Sequence, residues 1–357
     1  MELLAITSSN LERLLVALAE EGAVYVPGNE KYGSRGIRAY RRLAETARLE
    51  LPGMVLDQSL REFVLPPREE LGPAATEGSG DSSGDDGDRR PDRRIFVCGV
   101  KACDLAALKC LDAALGGGNG SMRSASARRE ALVLLSSDCT APDEYCHCSL
   151  LGGTPWPREG FDLNLSPVDY GYVVEVGSDR GRYIAERNRA LFTVPSAELT
   201  RQRDETRQRA LKTVEDQNEA FRLSGPHQDI IRGSDDSTQW NESMRTCVQC
   251  CACMYVCPTS HETIVCERPA SDPDKDGNGE ASRARTWDCC FRPGHGEAAE
   301  PGAGRSTLRE QFIERFHAKF DRFFDAHARV ACTGCGRCIR ACLGHIDIRQ
   351  VFKSLDG

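Results

Sequence analysis

CVQCCACMYVCP, residues 247–258, and CTGCGRCIRAC, residues 332–342, decide how the C-terminal third of this chain is built. The first places Cys247, Cys250, Cys253 and Cys257 at gaps of two, two and three residues, followed by Pro258. The second repeats those gaps with Cys332, Cys335, Cys338 and Cys342, but has Leu343 where proline would be usual. The gaps have a chemical reason. A cubane cluster offers one open corner per iron, and each corner needs a thiolate. Three cysteines in a tight loop wrap three corners, and a fourth on the helix that follows points towards a neighbouring cluster. Zinc knuckles use CxxC pairs set further apart, commonly with histidine. Two runs at these gaps follow the bacterial [4Fe–4S] pattern, in which the fourth cysteine of each run serves the other cluster. Crossed sets follow: Cys247, Cys250, Cys253 and Cys342 for one cluster; Cys332, Cys335, Cys338 and Cys257 for the second. Cys251 lies off that register and reads as a bystander.

Between the two runs, PASDPDKDGNGEASRAR is loop-like, whereas LREQFIERFHAKFDRFFDAH is strongly amphipathic. Its Phe312, Phe316, Phe320 and Phe323 fall on one helical face, which is expected to pack against the cluster region.

Further out, composition limits the possibilities. The chain has 357 residues, 18 Cys and a net charge of −8, with 12 of the cysteines beyond residue 244. The acidic balance argues against a general nucleic-acid binder. No apolar run is long enough to span a membrane. The opening MELLAITSSNLERLLVALAEEG is an amphipathic helix rather than a leader peptide, so a cytoplasmic address is expected. In a reducing compartment so many cysteines point to metal binding rather than to a disulfide framework.

Upstream of residue 230 the pattern changes to α/β. A helix over residues 11–21 runs into a strand at 24–26, and an extended segment ends in FVLPP. Residues 67–94 are poor in large apolar side chains and are expected to be disordered. RIFVCGV then reads as a strand, DLAALKCLDAAL as a helix and residues 131–136 as a second strand, which together make a parallel βαβ unit. GYVVEVGSDRGRYIA suggests a hairpin, and residues 196–223 a helical connector. Cys98 and Cys110 read as core. Cys103 lies where strand meets helix, a position that favours a thiolate. Cys139 follows the next strand, and Cys146 and Cys148 flank His147 on the loop beyond. These four are candidates to bind a third [4Fe–4S] cluster. The other reading is four separate thiols, since buried cysteine is common as a small apolar residue.

GVKACDLAALKCLD, DCTAPDEYCHCSLLGG, GFDLNL, GYVVEVGSDRG, CVQCCACMYVCPT, RARTWDCCFRPG and CTGCGRCIRAC, in that order, resemble the iron–sulfur beta subunits of cytoplasmic sulfhydrogenases and the corresponding iron–sulfur subunits of anaerobic sulfite reductases. The resemblance implies a role in passing electrons between a flavin-containing, NAD(P)-using partner and a catalytic redox subunit. The GVKACDLAAL turn also resembles that of beta subunits of deazaflavin-reducing hydrogenases, where the cysteine serves a cluster. The chain departs from the family where members continue the first run as CPTCxC: Ser260 and Glu262 stand in place of cysteine. Cys290 matches the family's cysteine after the tryptophan, here Trp287.

The fold expected is α+β: an N-terminal α/β domain to about residue 230, then a largely helical, ferredoxin-like dicluster domain over residues 240–357. No P-loop, GxGxxG or nucleophile–base pair stands out, so bond-making chemistry on this chain alone is not expected. Two other readings remain open, a subunit carrying its own flavin and a redox-sensing regulator.

Overall fold

A computed structural model describes residues 2–32, 35–43, 49, 51, 53–73, 93–116, 122–268, 282–291 and 307–357. The first part of the chain forms β1 (Glu2–Thr7), α1 (Ser8–Glu21), β2 (Gly22–Tyr32), β3 (Arg35–Arg42), α2 (Arg61–Val64) and β4 (Arg68–Pro73). There follow β5 (Arg94–Val100), α3 (Ala102–Gly116), α4 (Arg123–Ala131), β6 (Leu132–Ser137), β7 (Leu163–Val168), β8 (Gly171–Val176), α5 (Asp179–Arg187) and α6 (Ala197–Gln217). The last part is mostly short helices: α7 (His227–Arg232), α8 (Gln239–Met244), α9 (Ala252–Tyr255), α10 (Leu308–Phe316), α11 (Phe323–His327), α12 (Arg337–Arg340) and α13 (Ile348–Asp356). Two strands interrupt them, β9 (Thr263–Arg268) and β10 (Ser282–Trp287), and a π-helical segment, His317–Arg322, joins α10 to α11.

Seven strands make one sheet in the order β1-β8-β7-β6-β5-β2-β3. Its centre, β2, β5, β6 and β7, is parallel, and β1, β8 and β3 run antiparallel to their neighbours. Period-two alternation explains why RIFVCGV looks continuously apolar. Phe96 and Cys98 face the core under α1, with Leu11, Leu14, Leu15 and Leu18. Val97 and Val100 face the core under α3, with Leu105, Leu108 and Leu111. Both faces of a parallel centre are covered, as such sheets require. The expected βαβ unit is β5–α3–β6, continued by α4, and the polar connector is α6. The sheet and the helical cysteine-bearing region together make the α+β architecture.

Four local expectations are corrected. The opening MELLAITSSNLERLLVALAEEG is helical only from Ser8, because Glu2–Thr7 is strand β1, paired antiparallel with β8. Part of the segment expected to be disordered, residues 67–94, is strand β4, while residues 74–92 lie outside the described set. β4 pairs with β10, which also pairs with β9, so this small sheet draws on both ends of the chain. Composition undervalues it because its charges are matched: Glu69 lies opposite Arg285 in register, bonds it at 3.0 Å, and also pairs with Arg128 of α4. Cross-strand opposite charges stabilise such pairs. The FVLPP segment is not extended at its start, since Arg61–Val64 is the helical turn α2. The hairpin is β7–β8, turning at Tyr170 with φ +67°, and DRGRYIA begins helix α5, capped by the Ser178 hydroxyl.

Candidate metal centre

The first cysteine run is a loop around left-handed residues, Gln249 (φ +52°) and Cys251 (φ +59°), leading into α9. Cys247, Cys250 and Cys253 border one cavity together with Cys342 and Cys338 of the second run. The rest of its wall is largely apolar, with Phe291, Phe312, Phe316, Ile346 and Ile348. The end of the second run lies against the start of the first. Thr246 Oγ1 donates to the Gly344 carbonyl at 2.7 Å, and a Cβ on Gly344 would stand 2.2 Å from the Thr246 carbonyl oxygen. That approach is open only to glycine.

Cys257 is buried at the end of the first run, and the thiols of Cys332, Cys335 and Cys338 each feel its charge. Burial pushes the Cys257 thiol up. The Lys319 ammonium, at 3.2 Å, and Thr259, whose hydroxyl lies at 3.2 Å, outweigh it and hold the thiol at about 6. The other buried thiols go the opposite way, and burial pushes Cys332 up to about 12. Coordination to metal would deprotonate such thiols outright.

Two buried arginines fix the runs to the α/β layer. Arg61 of α2 donates to the carbonyls of Met254, Tyr255 and Ser260, at 3.3, 2.7 and 3.0 Å, and its guanidinium stacks 3.4 Å over the Trp287 ring. It reaches carbonyl groups at and beyond the end of α9, where helical partners run out. Arg337 of α12 forms a fork onto Asp104, at 2.8 and 2.9 Å, and donates to the Leu56 and Gln58 carbonyls. Asp104 is the residue after Cys103, so the second run is tied directly to the start of α3.

Cys103, Cys139, Cys146 and Cys148 border a single cavity, shared with Cys335 of the second run and with Lys101. The βαβ unit explains the first two, because the carboxyl ends of β5 and β6 lie side by side. The Cys146–Cys148 loop is held from three directions. Gln217 and Asn218, after α6, donate to the Cys146 carbonyl at 2.6 and 2.8 Å. Arg349 of α13 donates to the Glu144 carbonyl at 3.0 Å. The Gly334 carbonyl accepts from the His147 N–H at 2.8 Å. Gly334 and Gly336 have φ of +65° and +74°, and a Cβ on them would come within 2.5 Å of the Cys148 nitrogen and 2.7 Å of the Tyr145 carbonyl. Glycine in CTGCGRC therefore serves a close approach as well as a turn, a signal that the spacing alone does not disclose. His147 is buried, its Nδ1 lies 2.9 Å from the Tyr145 carbonyl, and burial holds it at about 4.

The helix-start argument for a free Cys103 thiolate is corrected: burial, and then the neighbouring Asp104 charge, push that thiol well up. Burial likewise pushes Cys146 and Cys148 up to about 12. Lys101 stands beside them, its Nζ bonded to Ser137 Oγ at 2.8 Å and to the Asp138 carbonyl at 2.9 Å. Outside this cavity a wider cleft of about 610 Å³ is bordered by Cys103, Cys148 and Cys332, with Trp156, Lys109, Arg158 and Arg329 on its walls.

Cys251 is not a bystander. It is joined in a disulfide to Cys289, with Cα atoms 6.1 Å apart, tying the first loop to the chain after β10. One disulfide is not a framework, and the other sixteen cysteines are free. Both Cys251 and Cys289 are extra cysteines outside the cluster register, and only the fold brings them together. Cys98 and Cys110 are core, 0% and 4% exposed. Ser260 and Glu262 bond each other at 2.6 Å where the family would have thiols.

Two cavities walled by several thiols and mostly by apolar side chains, with Arg315 in one and Lys101 in the other, suit a [4Fe–4S] cube. Likeness to known proteins points the same way. A 4Fe–4S dicluster domain matches residues 246–346, which span both runs. Sulfhydrogenase 2 subunit beta of Pyrococcus furiosus is 30% identical over 264 residues, covering 74% of this chain and 75% of that protein. Since the likeness reaches well beyond the dicluster region into the sheet that carries Cys103 and Cys139, the chain belongs to the sulfhydrogenase beta-subunit family of iron–sulfur proteins.

Proposed function

We propose that the chain is the electron-transfer subunit of a cytoplasmic sulfhydrogenase-type complex, relaying electrons between a flavin/NAD(P)-binding partner and a catalytic redox subunit. In this reading Cys247, Cys250, Cys253 and Cys342 hold one [4Fe–4S] cluster, and Cys332, Cys335, Cys338 and Cys257 hold the second. Cys103, Cys139, Cys146 and Cys148 hold a third, at the carboxyl edge of the N-terminal α/β domain.

The observation that carries this reading is the sharing of walls. Cys338 borders the first cavity although it belongs to the second set, and Cys335 borders the third. Three groups of thiols in series make a path in which each site is next to another. Bound clusters supply one-electron storage, and the protein's work is to bury, orient and tune them. Among the described residues the walls of the two thiol-lined cavities are mostly apolar, and their charged side chains are the cations Arg315 and Lys101.

Crossed ligation is tested with full-length variants. Cys342→Ser is expected to alter the EPR signal that Cys250→Ser alters, and Cys257→Ser the signal that Cys335→Ser alters. If Cys342→Ser and Cys335→Ser disturb the same cluster, crossing is wrong. The third site is tested by Cys146→Ser with Cys148→Ser, which should lower iron by about four per chain; unchanged iron would remove that site. Partner subunits are tested by isolating a tagged chain from its native cells at low salt, where a flavoprotein should accompany it.

A second reading is favoured by the cleft beside Cys103. Its size is that of a cofactor pocket, and Trp156, Lys109, Arg158 and Arg329 suit a planar anionic ligand such as a flavin nucleotide. A yellow chromophore released from the purified chain would favour this reading.

A further inference from the structure

The π-helical segment His317–Arg322 brings a buried lysine to the cysteines. Lys319 is 9% exposed, and its ammonium donates to Cys257 Sγ at 3.2 Å, Thr259 Oγ1 at 2.9 Å and the Ala331 carbonyl at 2.9 Å. None of these three partners is a carboxylate. A buried ammonium without a bonded anion is costly, so a negative charge is needed close by. Three are at hand: the Cys257 sulfur, which it bonds, and the Cys332 sulfur and Glu262 carboxylate, which face Lys319 electrostatically. One turn earlier Arg315 lines the first cavity, and its Nε has no hydrogen-bond partner. One helix thus carries two cations, at i and i+4, into the space between the two cysteine runs. π-helical turns recur at functional sites, and this one sets the lysine against a candidate ligand.

We propose that Lys319 is a fixed counter-charge for the cluster held by Cys257, raising its reduction potential above that of a cluster without such a cation. The inference rests on the ligand reading given under the proposed function. When the cluster takes up one electron it gains one negative charge; Lys319 keeps its proton, and no bond forms or breaks. The ammonium favours the reduced form by charge and by its hydrogen bond to sulfur, two of the means by which a protein sets such potentials. Lys319 is a positioning residue, acting through Cys257.

The test is a dithionite-driven potentiometric titration of anaerobically purified full-length chain, followed by EPR, with the cluster identified by its absence in Cys257→Ser. Lys319→Gln keeps a hydrogen-bond donor and removes the charge. At the wild-type midpoint its oxidised-to-reduced ratio should rise about tenfold, equivalent to ~59 mV downward for a one-electron couple. Lys319→Arg keeps the charge and should stay within about threefold of wild type. Glu262→Gln removes the facing carboxylate and should move the same cluster the opposite way. Glu262 is a partly exposed side chain, so this variant decides the matter if Lys319→Gln does not fold.

Wild-type chain without iron would overturn the ligand reading itself. Wild-type chain with its iron, and unshifted potentials in both Lys319→Gln and Glu262→Gln, would overturn the counter-charge alone. So would a folded Lys319→Gln that has lost about four irons, since that would make Lys319 a structural support of the site.

Discussion

Arg337 shows how much a single side chain inside the second cysteine run does for the rest of the molecule. In sequence it is the residue between Gly336 and Cys338. In the structure its guanidinium is 2% exposed and locked on Asp104, 233 residues away, with two further bonds to the carbonyls that lead into α2. Removing one partner of a buried ion pair leaves the other charge uncompensated, at a cost of about 3–5 kcal/mol. Arg337→Met is therefore expected to lower the unfolding temperature of the holoprotein strongly, and Asp104→Asn with Arg337→Met to recover part of the loss. Equal melting of wild type and Arg337→Met would show that the pair contributes little. Nothing local announces this role, because the partner is fixed by a contact across the whole chain. The dicluster character of the C-terminal region is legible for the opposite reason: the spacing of its cysteines is itself the chemistry. Gly334 is intermediate. Its presence in the run suggests a turn, but its positive φ and its closeness to Cys148, whose nitrogen would lie 2.5 Å from a Cβ placed there, are set by tertiary packing. On the proposed ligand sets, Gly334→Ala should disturb the cluster of Cys332 and Cys335 together with any iron bound at Cys146 and Cys148, and spare the cluster of Cys250. EPR of that variant showing three undisturbed clusters would contradict the shared wall.

Among the elements, the helix through α10, the π-helical segment and α11 links sequence to site most plainly. Phe312, Phe316, Phe320 and Phe323 are 2%, 2%, 1% and 7% exposed, as their helical spacing implies. Phe316 sits at the centre, with ring centroids 5.1 Å from Trp240, 5.3 Å from Phe312 and 5.6 Å from Phe352. It also borders the first cavity. Truncating such a residue costs about 3–5 kcal/mol through lost burial and the cavity left behind. Phe316→Ala should therefore melt earlier and, since water gains access to the sulfur atoms, lose iron faster in air; unchanged melting and air stability would count against this packing. Periodicity reveals the stripe but not the π-helical turn, which depends on the contact between Lys319 and the loop before Cys332. Strand β4 is hidden on similar grounds. Its sequence is charged, and its stability rests on Glu69 meeting Arg285 and Arg128, residues far off in the chain. The hairpin lies one strand earlier than the sequence suggests, because Gly177 and Gly181 look like turn residues. Both are instead close-packed on residue Phe161 or Asp162.

At the scale of the whole molecule, a sheet with two apolar faces supports one cysteine group at its carboxyl edge and clamps two more through Arg61, Arg337 and the β4–β10 pairing. The α/β character of the first part is legible from period-two strands around one helix, and the dicluster character of the last part from two repeated motifs. How the parts meet is not, because it rests on buried arginines, on close glycine contacts and on a disulfide between two off-register cysteines. Among the described residues no helix is long and apolar enough to cross a membrane.

On the proposed function these cysteine groups would hold three [4Fe–4S] clusters. The most direct test is the iron, acid-labile sulfide and zinc content of the full-length chain purified without oxygen, with the optical spectrum of the same sample. Three clusters predict ~12 irons and ~12 sulfides per chain, four of each per cluster, and a broad brown absorbance that dithionite bleaches. A colourless protein with about two zinc ions per chain and no sulfide, the signature of closed tetrahedral sites, would contradict it.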